Sequence, residues 1–383
     1  MTGILVLFHC ESNPGYASAS HEITFFKMAM RIVGSADNIH FGYRTLENGL
    51  SPTLPKELTH IIEFDSKITD HHYLSKIEDY VRSNNIQIIY GFDQPVKRKA
   101  YEYLRRAGVK YFVSYWGAPM SSLNTGIKLL ARKLQVRLSR HRPDHFIFQS
   151  EGMQLTATHG CGIPKNRTSI VRTGIDTEKY APDDTFQFYA HDNFNIPRNR
   201  SIVFFSGHME ERKGVAVIVR TAMQLINQQK RDDVHFLLLG NKHGEEQRFV
   251  DMFKGSEAEN YITFGGYRTD LPNILKSCSV GFIASTGWDS FPMSSVEMAA
   301  TELPLLVSDL EGLREAISAE TGFLYTSGDH LAAAEKLSEL LDNPEQRKTM
   351  GAAGRKRAIE RFSVESQISG IESVVRRIAA PIL

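Results

Sequence analysis

The sequence predicts an α/β protein built from two doubly wound domains in tandem that face a cleft. Three observations carry this. Short β-rich runs alternate with longer stretches of helical periodicity, as βα units feeding parallel sheets require. The cycle halts at a polar, poorly periodic stretch, Thr177 to Arg200, containing Pro182, Pro197 and Asp183-Asp184, and then restarts. Finally, 383 residues correspond to about two to three domains at roughly 150 residues each. With 42% hydrophobic and 23% charged residues, the chain has a globular balance and not that of a disordered, collagenous or membrane-embedded protein.

Taken in order, Ile4 to His9 reads as the opening strand. Ser20 to Val33 follows as a helix, because Ile23, Phe26, Lys27 and Met30 fall at helical spacing after polar starters. Further strands are expected at Ile39 to Tyr43, His60 to Phe64, Ile86 to Tyr90, Lys110 to Ser114 and His145 to Gln149. The second cycle has strands at Ile202 to Phe205, Val234 to Leu239, Tyr261 to Phe264, Val280 to Ala284 and Leu305 to Ser308. From about Leu331 the tail is helical, with breaks at Asn343-Pro344 and around Phe362-Ser363. The expected domains are therefore 1–180 and 181–362, with a last helix, 363–383, packing back on the first domain. No repeat of 20 to 50 residues and no low-complexity tract is present.

A net charge of +1 hides an asymmetry. Residues 1–180 carry +7, from 23 Lys+Arg against 16 Asp+Glu, and residues 181–383 carry −6, from 22 against 28. The two halves are expected to face different partners. No apolar run approaches a bilayer span, and Ile4 to Phe8 is only a strand long with no basic residue before it, so neither a transmembrane helix nor a signal peptide is expected. The cytoplasm is the expected location. Cys10, Cys161 and Cys278 lie far apart with no CxxC pair, which argues against a disulfide framework and a zinc site.

Two tandem domains of this kind bring the carboxyl ends of their strands to a shared crevice, where α/β sheets bind ligands. Two segments supply chemistry there. In VGFIASTGWDSFPMSSVEMAATELPLLVS, Val280 to Ser308, a buried strand leads to a small polar loop, with Asp289 and Glu297 eight positions apart around a helix start near Phe291-Pro292. The free N–H groups of such a helix end form an anion site. Asp289 would stand just before that end. Glu297 would lie about two turns inside it, able to accept hydrogen bonds from sugar hydroxyls. Taken alone, Asp289 also reads as a helix cap and Glu297 as a solvated side chain. In the second segment, from Ile202, Gly207 ends a strand and Lys213-Gly214 precede an apolar helix, placing an ammonium where it could neutralise a phosphate. It is neither a Walker A loop nor a GxGxxG fingerprint, and alone it also reads as an ordinary βα turn with a solvated lysine.

Together these segments resemble retaining glycosyltransferases of the GT-B fold, specifically family 4 (glycosyl transferases group 1), whose two domains are Rossmann-like. The family pattern G-R-L-x-x-x-K-G is matched by Gly207, His208, Met209, Lys213 and Gly214, with histidine for arginine. E-x-F-G-x-x-x-x-E is matched by Asp289, Phe291 and Glu297, with aspartate for the first glutamate and Pro292 for glycine. VRTGIDTEKY, Val171 to Tyr180, resembles N-G-V-D-x-x-x-F, and Gly312 and Glu315 in LVSDLEGLREAI correspond to the segment after the acidic pair. The likeness spans most of residues 170–320.

The resemblance implies a nucleotide-diphosphate sugar held mainly by the second domain. Lys213, with His208 and backbone N–H groups at Phe291, Met293 and Ser294, would bind the diphosphate. Glu297 would take the ribose hydroxyls and Asp289 the donor-sugar hydroxyls, and Asp289 and Lys213 are the expected catalytic residues. Gly265-Gly266-Tyr267-Arg268 is similar to the family's base-binding loop, although Tyr267 also reads as a partly buried loop aromatic. In the first domain Asn13-Pro14-Gly15-Tyr16 stands where the family has a glycine-rich loop, with Gly15 the clear correspondence. Trp116, in SYWGAP, is expected to line the pocket where the family often has a histidine, and Asp93 in GFDQP is either a cleft residue or a turn former. His208 would replace part of the usual arginine contact, more fully when protonated, and Pro292 has no N–H to offer.

The implied reaction moves a hexose-type sugar to an acceptor hydroxyl with retention, in polysaccharide or glycolipid assembly. The helix end and Lys213 would stabilise the leaving group without a metal. No Asp-x-Asp motif is present, and His71-His72 after Asp70 read as solvated residues at a helix start. The acceptor, a sugar, lipid-linked or other hydroxyl, is expected on the basic first domain. Between Leu123 and Arg142 lie Lys128, Arg132, Lys133, Arg137, Arg140 and Arg142 with no acid, while Ile127, Leu130, Leu134 and Leu138 form an apolar stripe. Such a helix suits an anionic membrane surface or an anionic acceptor; it also reads as a helix packed on the sheet with its cations in water. Nucleic acid is not an expected partner, since no binding motif accompanies the charge. A nucleotide-sugar epimerase, a phosphorylase and a non-catalytic nucleotide-sugar-binding protein are the competing readings.

Overall fold

The structure, a computed structural model, describes residues 2–13, 15–289 and 291–382, the side chains of 16–19 excepted. It divides into two units, Met1–Arg172 with Glu365–Leu383, and Thr173–Val364.

Among the described residues the first unit holds strands β1 (Gly3–Phe8), β2 (Ile39–Tyr43), β3 (His60–Glu63), β4 (Ile86–Phe92), β5 (Tyr111–Trp116), β6 (His145–Phe148) and β7 (Thr168–Ile170). They form a parallel sheet in the order β3-β2-β1-β4-β5-β6-β7. Every residue of β1 is buried, as suits a central strand covered on both faces. One face carries an aromatic layer in which Phe8, Phe25, Tyr43 and Phe92 pack ring on ring. The other packs Leu5, Leu7 and Ile89 against Leu74, Val81 and Leu104. The last helix, Val364–Ala379, joins this unit: Arg31 pairs with Glu365 at 2.7 Å, and the Gln367 amide donates to the Tyr115 hydroxyl at 3.0 Å.

The second unit repeats the plan with β8 (Ser201–Ser206), β9 (Val234–Leu239), β10 (Ile262–Phe264), β11 (Val280–Ile283), β12 (Leu305–Ser308) and β13 (Gly322–Tyr325). Their order is β10-β9-β8-β11-β12-β13, again parallel. Chain direction across each sheet reverses between its first and fourth strands, β1 and β4 in one, β8 and β11 in the other. Such reversals are where α/β sheets bind ligands.

Contacts divide the chain after Arg172, earlier than the composition break at 180. The reason is local: Ile175 is buried in the second core, its N–H donates to the Phe362 carbonyl at 2.8 Å, and its carbonyl accepts from Val364 at 3.0 Å. Strands β7 and β13 were not anticipated from the sequence. Both are short and lie at sheet edges, where one neighbour suffices and the apolar signal is weak. The three cysteines are free.

Candidate functional site

Strand β8 ends at Ser206, and the loop that follows reaches the helix Val215–Met223 through Gly214. Gly214 has φ of +70°, and a Cβ there would lie 1.7 Å from the Ala284 carbonyl oxygen. Only glycine lets this loop press against the end of β11. The Thr286 N–H donates to the Arg212 carbonyl at 2.7 Å, tying the two loops together. Lys213 Nζ is thereby set 2.6 Å from Asp289 Oδ2, which also accepts from Ser285 Oγ at 2.9 Å. The pair is largely removed from solvent, with side-chain exposures of 17% and 7%. A charge-assisted bond of this length in such surroundings fixes both side chains. Ser308 Oγ and Ser327 Oγ both donate to the Ser285 carbonyl, at 2.8 and 3.1 Å, bracing the loop from behind.

The helix Met293–Ala300 starts beside this pair, with Pro292 at its N-cap position and no capping side chain. Asp289 is therefore not the cap; its carboxylate is taken by Lys213 and Ser285. Phe291 precedes the helix, and its ring is buried against Phe362 at 5.1 Å, so it anchors the loop and its amide is not part of the helix end. The amides of the helix's first turn begin at Met293 and Ser294, neither of whose side chains is fully buried. Glu297, far from being solvated, is 5% exposed and accepts from the Tyr180 hydroxyl at 2.9 Å. Burial pushes its carboxyl upward from the ordinary glutamate value.

The neighbouring loops are locked to one another. The Gly207 N–H donates to the Leu239 carbonyl, and a Cβ on Gly240, at φ +104°, would lie 2.3 Å from the Gly207 oxygen. Gly266 gives its N–H to Asn241 Oδ1 at 2.9 Å and accepts from the Gly240 N–H at 2.8 Å, so both of its backbone groups are engaged within the protein. Next to it Tyr267 is 72% exposed and not the partly buried aromatic of the alternative reading. Arg268 makes a two-pronged bond to Asp270, at 2.7 and 2.5 Å, which holds the Asp270 carboxyl down at about 2. His208 is exposed, while Met209 is buried and its carbonyl accepts from Arg248. Sequence reasoning missed Arg212, whose guanidinium lies 4.5 Å from the ring centre of the exposed Trp288. Its place in the Arg-Lys-Gly run beside Lys213 was the available signal.

In the first unit Gly15, at φ +124°, precedes the helix Tyr16–Val33, which also starts without a capping side chain. Pro14 and the Tyr16 side chain lie outside the described residues. Asp93 follows β4 at φ +52° and is both a turn residue and part of a cluster at the sheet's reversal point. Its Oδ1 accepts from the Gly117 N–H at 2.7 Å, and its Oδ2 lies 3.6 Å from His9 Nδ1. Burial raises its carboxyl to about 7. Trp116 does not join that cluster: it packs on the apolar group formed by Val136, Phe146, Phe148 and Met153. His71 and His72 are exposed at a helix start capped by Asp70.

Residues 188–357 match the family model for glycosyl transferases group 1. The chain is 25% identical over 207 residues, 52% of either protein, to the capsular polysaccharide biosynthesis glycosyltransferase CapM of Staphylococcus aureus. Over 216 residues it is 27% identical to the N,N'-diacetylbacillosaminyl-diphospho-undecaprenol alpha-1,3-N-acetylgalactosaminyltransferase of Campylobacter jejuni, covering 55% of this chain and 54% of that one. The chain spans about half the length of the curated relatives it matches. In fold it is similar to HepE of Anabaena, crystallised with UDP, at a TM-score of 0.77 and 16% identity over 98% of this chain and 100% of that one. The two parallel sheets are those of the GT-B fold. Lys213, Asp289 and Glu297 all lie within the segment that matches the glycosyl transferases group 1 model.

Proposed function

We propose that this chain is a glycosyltransferase that moves a hexose-type sugar from a nucleotide-diphosphate sugar to an acceptor hydroxyl, with retention of anomeric configuration. The observation that carries the reading is the Lys213–Asp289 pair, fixed at the reversal point between β8 and β11 beside an uncapped helix start. Departure of the nucleoside diphosphate leaves an oxocarbenium-like centre, which the acceptor attacks from the same face. The leaving group's growing charge is met by the Lys213 ammonium and by the amides of Met293 and Ser294, without a metal. His208 adds a donor from the rim. Asp289 orients Lys213 and accepts from donor-sugar hydroxyls. Glu297, held by Tyr180, accepts from the ribose, and the exposed Tyr267 ring stacks on the base.

The names of the relatives support this reading: one acts in capsular polysaccharide biosynthesis, and another transfers a sugar to a diphospho-undecaprenol acceptor. HepE's UDP supports the donor class. In this reading the first domain takes the acceptor, a sugar or lipid-linked hydroxyl, in polysaccharide or glycolipid assembly.

A thermal-shift screen of sugar nucleotides tests the donor site. A ligand at 100 times its Kd stabilises the native state by about 2.7 kcal/mol. One donor is expected to raise the melting temperature of the wild type, and Lys213→Ala and Glu297→Ala are expected to abolish that shift. If both variants respond like the wild type, the assignment is wrong. Nuclear magnetic resonance of the product decides retention, and an unchanged rate in EDTA is the outcome expected of a metal-independent transfer.

A further inference from the structure

The helix Gly126–Leu138 is attached to its unit by one face. Val136 is buried, Leu129 is half-buried, and the backbone at Lys133 sits so close to Gly162 that a Cβ there would come within 2.6 Å of the Lys133 nitrogen. At about 100° per residue, Ile127, Leu130, Leu134 and Leu138 fall within an arc of about 80° on the opposite side of the helix from Val136 and Leu129. Their exposures are 87, 67, 57 and 69%, and Leu123, just before the helix, is 60% exposed. The apolar stripe that an amphipathic helix normally turns inward here points away from the protein. The helix packs on the unit through Val136, which clusters with Phe146 and Phe148, and its cations are in water, but the apolar stripe is not the face that packs.

Charge is arranged around the stripe. Lys128 stands on one side of it and Lys133 and Arg137 on the other, all exposed, and no acid occurs from Leu123 to Arg142. Beside its C-terminal end opens a groove of about 700 Å³ lined by Leu134 and Leu138, by Arg98, Arg140 and Arg142, and by one acid, Glu102. Among the described residues no helix is long and apolar enough to cross a membrane.

We propose that this surface docks on a bilayer bearing anionic lipids, with the helix lying in the plane of the interface. The leucines and Ile127 would enter the boundary between headgroups and acyl chains, and the flanking cations would meet lipid phosphates, their stems lying along apolar surface. The occupant follows from the charge. A stripe with one sign of charge on both flanks complements a continuous anionic plane, whereas the buried centre of a protein interface is depleted in lysine. The exposed apolar area is of the kind that marks a contact surface. The inference stands on this helix alone and adds to the proposed transfer: a lipid-linked acceptor would be met where the enzyme is docked.

Vesicle flotation of the whole 383-residue chain tests it. Phosphatidylcholine vesicles containing phosphatidylglycerol are expected to bind the protein at least about tenfold better than phosphatidylcholine alone, and added salt is expected to release it. Ile127→Asp with Leu130→Asp is expected to lower binding about tenfold or more, with melting temperature and sugar-nucleotide response unchanged, because both side chains are already in water. Lys128→Glu with Arg137→Glu is expected to do the same. Absence of binding to phosphatidylglycerol vesicles, or equal binding by the double aspartate variant, overturns the proposal. So does light scattering that shows a dimer split by that variant, which would assign the stripe to a second copy of the chain. None of these readouts requires the donor site, so failure here and failure of the transfer reading are separable.

Discussion

Lys213 and Asp289 meet across 76 residues of sequence because two tight loops share one backbone seam. Removing the carboxylate leaves an ammonium largely out of water. Asp289→Ala is therefore expected to destabilise the protein by about 3 kcal/mol, read as a lower denaturant midpoint at constant slope. Asp289→Asn keeps an acceptor for the ammonium and is expected to cost less.

Asp93 makes a second residue-scale prediction. Its folded-state value of about 7 lies well above the ordinary aspartate value of about 3.9. Between the two the native state holds a proton that the unfolded chain has released, so the group's contribution is greatest at the acidic end. It falls as pH rises, and is fully lost above about 7. His9, which burial lowers, works at lower pH in the opposite sense, losing stability as it is forced to charge. The difference between wild type and Asp93→Asn, followed by urea midpoint against pH, isolates the aspartate: the asparagine variant is expected to lose the decline toward neutral pH.

At the scale of the element, the turn at Gly214 is the most constrained piece of the second unit. Gly214→Ala would drive a methyl into the Ala284 carbonyl at a left-handed backbone position. A loss of several kcal/mol, on the order of the largest single-residue effects, is expected in chemical denaturation, with donor binding lost as well. Inner strands of this sheet were legible in the sequence because covered parallel strands read as unbroken apolar runs; Val234–Leu239 and Leu305–Ser308 match to the residue. Thr168–Ile170 and Gly322–Tyr325, at the edges, offered no such run. The helix Gly126–Leu138 shows a different limit. Periodicity locates an apolar stripe on a helix, but nothing in it tells whether protein or solvent covers that stripe, and here solvent does.

For the whole molecule, the repeated βα plan was legible in the alternation along the chain, while the strand orders that set both reversal points come from the pairing of the strands. The motif spacing singled out Lys213, Asp289 and Glu297. It could not show that Glu297 is buried on the Tyr180 hydroxyl, 117 residues away, that Phe291 belongs to the core, or that Trp116 packs beneath a helix. Those are consequences of packing between segments distant in sequence, which single-chain spacing does not encode.

The central claim is that a sugar nucleotide is bound by the ammonium at 213 and the helix start at 293. Isothermal titration of the full chain with the donor found by screening, in wild type, Lys213→Ala and Glu297→Gln, tests it most directly. The account predicts saturable one-to-one binding by the wild type and a loss of affinity of about tenfold or more in each variant, as expected when a charge-assisted contact is removed. Equal affinity in all three proteins would contradict it.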